Sequence, residues 1–387
     1  TVCRMALALS VCSGGAALAN PDVIVGDLSD IAYYGSSNGT HAFAIGTISC
    51  NVGTSNLLWI ANNNQHPVIG QNMYRYLNGR FEMIGQSWLK HGFTALTQNL
   101  CGTCNGVGGA ALGVGCSDPY TAGLNGGQTN AGPRWEVNAS TGYFPYRPAN
   151  PSWSGNIARR LQVKDEDLRT DLNVGAVYFG EGEYVTRDDA LAGNAWNNAS
   201  YRRLNLTYVN ASTVNVTMAA TTQRTKPAIY AWQAMDPLVQ VARVDVPNDG
   251  VYLDTSVTPN VHRRTTGTMF IACRVTDNGN GTHHYEYAIE NVSSDRCAGG
   301  LRFALPAGVV PENIGFRGGL YHDGDGIPTD MANPNTTARN FTNVPWIASV
   351  GSTTLRWGTE AWRDNPNANA IRWGTMYNFR FDANAQP

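Results

Sequence analysis

The sequence predicts a mostly β protein of two β-rich domains, the second a sandwich or jelly roll, preceded by an N-terminal β-strand for donation to a neighbouring copy. Three observations predict this. Short runs of alternating, β-branched and aromatic residues recur between turn signals along nearly the whole chain. The 387 residues include 42 glycines, with Asn, Ser and Thr abundant, a composition of turns and short strands rather than long helices. Near the N-terminus, Met5, Leu7, Leu9 and Val11 alternate with Ala6, Ala8, Ser10 and Cys12, which puts the bulky side chains on one face of an extended segment.

Residues 1–19 support two readings. Arg4, the apolar stretch Met5–Val11 and Ala17-Leu18-Ala19 have the form of a secretory signal and its cleavage site. A signal needs hydrophobicity but no two-residue period. The period suits a strand inserted into an apolar groove of the next subunit, and head-to-tail donation of that kind builds filaments.

A first β-rich domain is expected over residues 20–235. It opens with the strand Pro21–Leu28 and continues through His41–Ser49, Leu57–Ala61, Gln71–Leu77 and Arg80–Ile84, with Asn78-Gly79 as a tight hairpin turn. Residues 101–156 are rich in Gly, Asn and Pro and read as a long loop held by cysteines. Structure resumes at Ile157–Leu168 and Val174–Val185. Thr186 is placed to cap a helix with Asp189 at its third position. Tyr201–Ala219 alternates as strands, and Pro227–Met235 reads as a short helix opened by proline.

The second domain, a β-sandwich, is expected over residues 236–387. Val239–Val246 and Gly250–Val257 flank Pro247-Asn248-Asp249. Gly267–Thr276 and Thr282–Glu290 flank the turn Asp277-Asn278-Gly279-Asn280-Gly281. Leu301–Leu305, Asn313–Tyr321 and Met376–Phe381 follow. Leu355-Arg356-Trp357-Gly358-Thr359 recurs as Ile371-Arg372-Trp373-Gly374-Thr375, which reads as two strands of one sheet. Short strands spaced by turns indicate a sandwich or jelly roll.

The net charge of −2 argues against nucleic acid, which needs a basic face. No apolar run reaches the length of a membrane span. Charged residues make up only 14%, and a surface of Asn, Thr, Tyr and Trp suits contact with glycans or other subunits. The eight cysteines and the export-like start point to an oxidising compartment. Cys101, Cys104 and Cys116 are read as disulfide staples with Cys50 as a possible partner; a zinc site completed by Cys50 is the alternative. Cys273 and Cys297 flank a hairpin and can pair with each other. Connectivity otherwise stays open.

Several stretches are long enough to compare. They are Pro21-Asp22-Val23-Ile24-Val25-Gly26-Asp27-Leu28; Leu58-Trp59-Ile60-Ala61-Asn62 with Gln65-His66-Pro67-Val68-Ile69-Gly70-Gln71-Asn72; Gln86-Ser87-Trp88-Leu89-Lys90-His91-Gly92-Phe93-Thr94-Ala95-Leu96; and Asn365-Pro366-Asn367-Ala368-Asn369-Ala370 running into Arg372-Trp373-Gly374-Thr375 and Asn378-Phe379-Arg380-Phe381-Asp382-Ala383-Asn384. In these the chain resembles an uncharacterised family of exported proteins of environmental bacteria, planctomycetes among them. The resemblance implies export and no particular activity.

Candidate chemistry is sparse. Asp323, Asp325 and Asp330 form an acidic, glycine-rich turn able to wrap Ca²⁺, or simply an exposed turn. Glu181 and Glu183 share one face of a strand; paired carboxylates beside aromatics suit glycoside cleavage, though a solvated strand face is the plainer reading. His66, His91, His283 and His284 read as structural. Gly106–Gly113 lacks the lysine of a phosphate loop. Glycosylation sequons cluster at Asn198, Asn205, Asn210 and Asn215.

The expected function is therefore a structural subunit of an extracellular filament, without catalysis, its partner being itself and its assembly strand Met5, Leu7, Leu9 and Val11. The alternative is a secreted carbohydrate-binding or glycoside-cleaving protein that uses Trp and Tyr as stacking platforms. No cofactor is expected beyond the possible Ca²⁺.

Overall fold

A computed structural model describes residues 20–149, 155–255, 258–335 and 340–385. The assembly strand expected at Met5–Val11 lies outside the described residues. The architecture is mostly β. Its largest sheet has eleven strands, ordered along its main path as Val23–Ser37, Thr40–Asn51, Leu161–Lys164, Arg80–Gln86, Val68–Leu77, Val177–Val185, Ala199–Asn210 and Thr213–Met218.

This sheet curls nearly into a barrel. Its first strand meets the far end of the sheet through side chains rather than a ladder of backbone bonds. Tyr33 Oη donates to Ser212 O (3.0 Å), Ser36 Oγ to Ala211 O (2.8 Å), Arg202 Nη1 to Leu28 O (2.7 Å) and Arg224 Nε to Gly26 O (2.6 Å). Inside lie Val25, Leu28, Phe43, Ile45, Met73, Ile84, Val163 and Tyr184. The strand Val177–Val185 shows how the sequence fits this interior. Tyr178 and Tyr184 point inward, and between them Gly180 and Gly182 leave no room for a Cβ, which would strike Ile45, Thr47 and Leu28. By alternation Phe179, Glu181 and Glu183 then point outward.

That outward face is covered rather than solvated. A five-stranded antiparallel sheet, ordered Gln240–Val246, Gly267–Asp277, His283–Asn291, Thr375–Ala383 and Pro311–Arg317, packs on it. Tyr74, Phe81, Phe179, Tyr201 and Trp232 meet Phe270, Ala272, Ala288 and Met376 in one core. The opposite face of the same sheet carries Tyr285, Tyr287, Ile289, Tyr377, Phe379 and Phe381. These pack on the small sheet Gly300–Ala304, Thr354–Gly358 and Ile347–Val350 through Phe303, Leu355 and Trp357. The C-terminal half is thus a sandwich whose outer polar face has become an inner one.

Local expectations resolve individually. Asn78-Gly79 joins two strands, and Asn278–Gly281 turns between Gly267–Asp277 and His283–Asn291. Thr186 caps the helix Arg187–Ala192, its hydroxyl accepting from Asp189 N. The loop expected over residues 101–156 contains short elements: Ala111–Leu112, Ser117–Tyr120, the helix Ala122–Asn125, Ala131–Gly132 and a 3₁₀ turn at Arg134–Glu136. The repeated Arg-Trp-Gly-Thr segments are not two strands of one sheet. Thr354–Gly358 is the central strand of the small sheet, whereas Ile371 makes one bridge to Ala298 and the chain turns at Gly374 before the strand Thr375–Ala383.

The cysteines divide. Cys50 pairs with Cys101 and Cys104 with Cys116, so the loop is stapled by disulfides, not by zinc. The expected Cys273–Cys297 bridge is absent: Cys273 is disulfide-bonded and Cys297 keeps a free thiol. The register explains this. Cys273 pairs with Tyr287, while the chain leaves the hairpin at Asn291, opposite Met269. Four residues of strand, about 13 Å, separate Cys273 from that exit, and the chain carries Cys297 instead to Arg372, whose Nη1 donates to its Sγ (3.7 Å); the Cys273 sulfur, already bonded, takes no second bridge.

Candidate functional site: an aromatic cleft over a buried polar cluster

The junction of the barrel with the C-terminal sheets holds a cavity of about 210 Å³. The barrel side supplies Gln86 and Ser87, at the end of a strand, and Arg134 and Trp135 from the 3₁₀ turn. The loop after His283–Asn291 supplies Asp295 and Cys297. Tyr321 and Asp325 come from the loop after Pro311–Arg317, and Phe341, Trp362, Arg372 and Trp373 also line it. Five aromatic rings therefore face one space. Tyr321, Phe341 and Trp373 are tied into the protein, and Trp362 is 69% exposed. An indole left that far in water at a cavity mouth is an exposed apolar platform.

The wall is stiff. Arg134 is buried and anchored on backbone: Nε donates to Ser87 O (2.9 Å), Nη2 to Gln71 O (3.2 Å) and to Asn72 Oδ1 (2.9 Å), and Nη1 to Gly374 O (3.3 Å). Its guanidinium lies 5.4 Å from the Trp373 ring centroid. Gly374 has a φ of +71°, and a Cβ there would run into Arg134 Nη1, so both conformation and close approach require glycine. Arg372 lies 3.7 Å over the Phe341 ring and donates from Nη2 to Pro366 O (2.7 Å) and Ala368 O (3.1 Å). Asp325 accepts from Trp88 Nε1 (2.7 Å) and from the His322 backbone (2.7 Å). Burial pushes its carboxyl up to about 6 against those donors. Asp295 is pushed to about 6 as well, by partial burial and then by the Asp249 charge.

Behind the cleft floor the two sheets meet through charge. Glu181 accepts from Asn72 Nδ2 (2.8 Å), Tyr74 Oη (2.9 Å) and Ala228 N (2.6 Å), and Glu290 from Tyr74 Oη (2.7 Å) and Ile229 N (3.0 Å). One phenol hydrogen cannot fill both carboxylate contacts. One carboxyl therefore carries a proton and donates it to the Tyr74 oxygen. Burial and the neighbouring Glu181 charge raise Glu290 well above the usual range, while Glu181, raised by burial too, holds more N–H donors and the Arg134 charge. Glu183 is also buried and raised, its Oε1 lacking a partner. The pair read as a solvated strand face is thus interior: both glutamates are buried, Glu181 bonding to Ala228 N and Glu183 lying within the field of Arg134.

The remaining sequence candidates fall elsewhere. Asp323 accepts from Asn340 Nδ2 (2.8 Å), and Asp330 from Ala332 N and Asn333 Nδ2 (2.9 Å each). Asp325 faces the cleft, so the three carboxylates do not converge. Among the described residues no three His, Cys, Asp or Glu side chains are grouped as metal ligands would be. Asn198 is buried, its amide donating to Tyr184 O and Asp189 Oδ2, and cannot accept a glycan in the folded chain. Asn205, Asn210 and Asn215 are exposed. His66 and His91 contact each other, Nε2 to Nδ1 at 2.9 Å, in a buried pair. His284 bridges Asp382 (2.6 Å) and Glu286 (3.2 Å).

No residue of the cleft was singled out from sequence as part of an aromatic site. Its members are spread from Gln86 to Thr375, and the one signal available was the repeated Arg-Trp-Gly-Thr, whose second copy forms part of the wall. Among the described residues no helix is long and apolar enough to cross a membrane. Compared with protein families, with curated proteins and with solved structures, the chain matches none of them.

Proposed function

We propose that this is an exported carbohydrate-binding protein and that the aromatic cleft is its sugar site. The observation that carries the reading is Trp362, exposed at a cavity that Trp135, Trp373, Tyr321 and Phe341 also line. Sugar rings present C–H faces to aromatic planes and hydroxyls to polar groups around them, the mixture that such a wall accommodates. The disulfides Cys50–Cys101 and Cys104–Cys116 suit the oxidising surroundings of an exported protein. The filament expectation rests on residues outside the described ones, and nothing in the described residues bears on it.

Retention on a panel of insoluble polysaccharides tests the reading. The protein should be retained by at least one of them, and Trp362→Ala should weaken retention about tenfold with an unchanged melting temperature, since an exposed side chain contributes little to stability. Retention on none, or equal retention of the variant, overturns it.

A further inference from the structure

The cleft's hydrogen-bonding groups are unequally committed, and this points to the charge of its ligand. The two guanidinium groups are largely spent. Arg134 has its nitrogens on Ser87 O, Gly374 O, Gln71 O and Asn72 Oδ1. Arg372 spends Nη2 on two carbonyls and Nη1 on Cys297 Sγ (3.7 Å), leaving Nε as its one unpartnered nitrogen. Neither guanidinium can offer the paired N–H fork that grips a carboxylate.

The acceptors are open. Gln86 is 4% exposed, and its Oε1 has no partner. Its orientation is fixed, because Nε2 donates to Leu320 O (3.2 Å) and approaches Asp325 Oδ2 (3.5 Å). A flip would set oxygen against two acceptors. Asp295 lines the same cavity, and among the described residues nothing donates to its carboxylate. Asp249 behind it is held by Ser294 Oγ (2.8 Å), Asp295 N (2.7 Å) and Arg296 N (3.1 Å). A buried unpartnered acceptor is costly, and two neighbouring carboxylates favour a cation.

We infer that the cleft selects glycans that present hydrogen-bond donors and positive charge, namely polymers of amino sugars with free amino groups, over polymers of uronic acids. This rests on the sugar-binding reading above, and the test separates the two. Calorimetric titration of the whole protein with oligomers of glucosamine, N-acetylglucosamine and galacturonate, all of equal length, reads it directly. At low ionic strength glucosamine should bind about fivefold more tightly than its acetylated counterpart, the scale of one partly exposed charge pair. Galacturonate should be weakest. High salt and Asp295→Asn should each close the gap between the first two. Tightest binding of galacturonate, or a gap indifferent to both salt and Asp295→Asn, overturns the inference while leaving a sugar site in place. Absence of binding by all three overturns the sugar-site reading and the inference with it.

Discussion

Glu136 shows what a single buried carboxyl does to this protein. Its Oε2 accepts from Ala149 N at 2.9 Å, while Oε1 faces the Cα of Gly132 beside His91 Nε2 and has no partner. Burial lifts its carboxyl to about 8, against 4.5 for a free glutamate. The folded state therefore holds a proton that the unfolded chain gives up. The stabilisation is complete below about pH 4.5 and is lost as the pH rises toward about 8. Glu136→Gln keeps the shape without the proton. Thermal unfolding should find the variant and the parent closest near pH 4.5 and the variant more stable near pH 8; parallel profiles would mean that Glu136 is ionised in the fold. Sequence shows part of this residue-scale picture. Alternation put Glu181 and Glu183 on one face, correctly. It could not say that a second sheet covers that face, because Tyr74, Ala228 and Glu290, which complete the contact, come from distant parts of the chain.

The elements repeat the lesson with cysteine. Composition indicated that residues 101–116 are stapled, and Cys50 was the candidate outside partner, but only the fold separates Cys50–Cys101 from Cys104–Cys116. The two bridges close loops of 51 and 12 residues. In the chain-entropy account they contribute about 4 and about 3 kcal/mol. Replacing each pair by serine should lower the denaturation midpoint in that order when followed by urea titration. An equal or inverted effect would place the stabilisation in the native contacts instead of the unfolded chain. Hairpin turns and the Thr186 cap were legible because each is decided within a few residues. The Arg-Trp-Gly-Thr repeat misled because identical local sequence met different neighbours. One copy pairs with strands on both sides, and the other wraps Trp373 against Arg134 and turns at Gly374.

At the scale of the molecule, three β layers share two cores, and the cleft opens where the barrel meets the C-terminal sheets. The β class follows from turn spacing and composition. The layering does not, since strands such as His283–Asn291 show one apolar and one polar face whether the polar one meets water or, as here, a second set of glutamates and tyrosines. The central claim is that a sugar occupies this one cleft, and the ten tryptophans report on it. Indole N–H resonances recorded by nuclear magnetic resonance, with and without a retained oligosaccharide, test it most directly. Signals of Trp135, Trp362 and Trp373 should move together and saturate, while those of the fully buried Trp59, Trp232 and Trp357 stay in place. Saturable shifts confined to tryptophans outside the cleft would contradict the account.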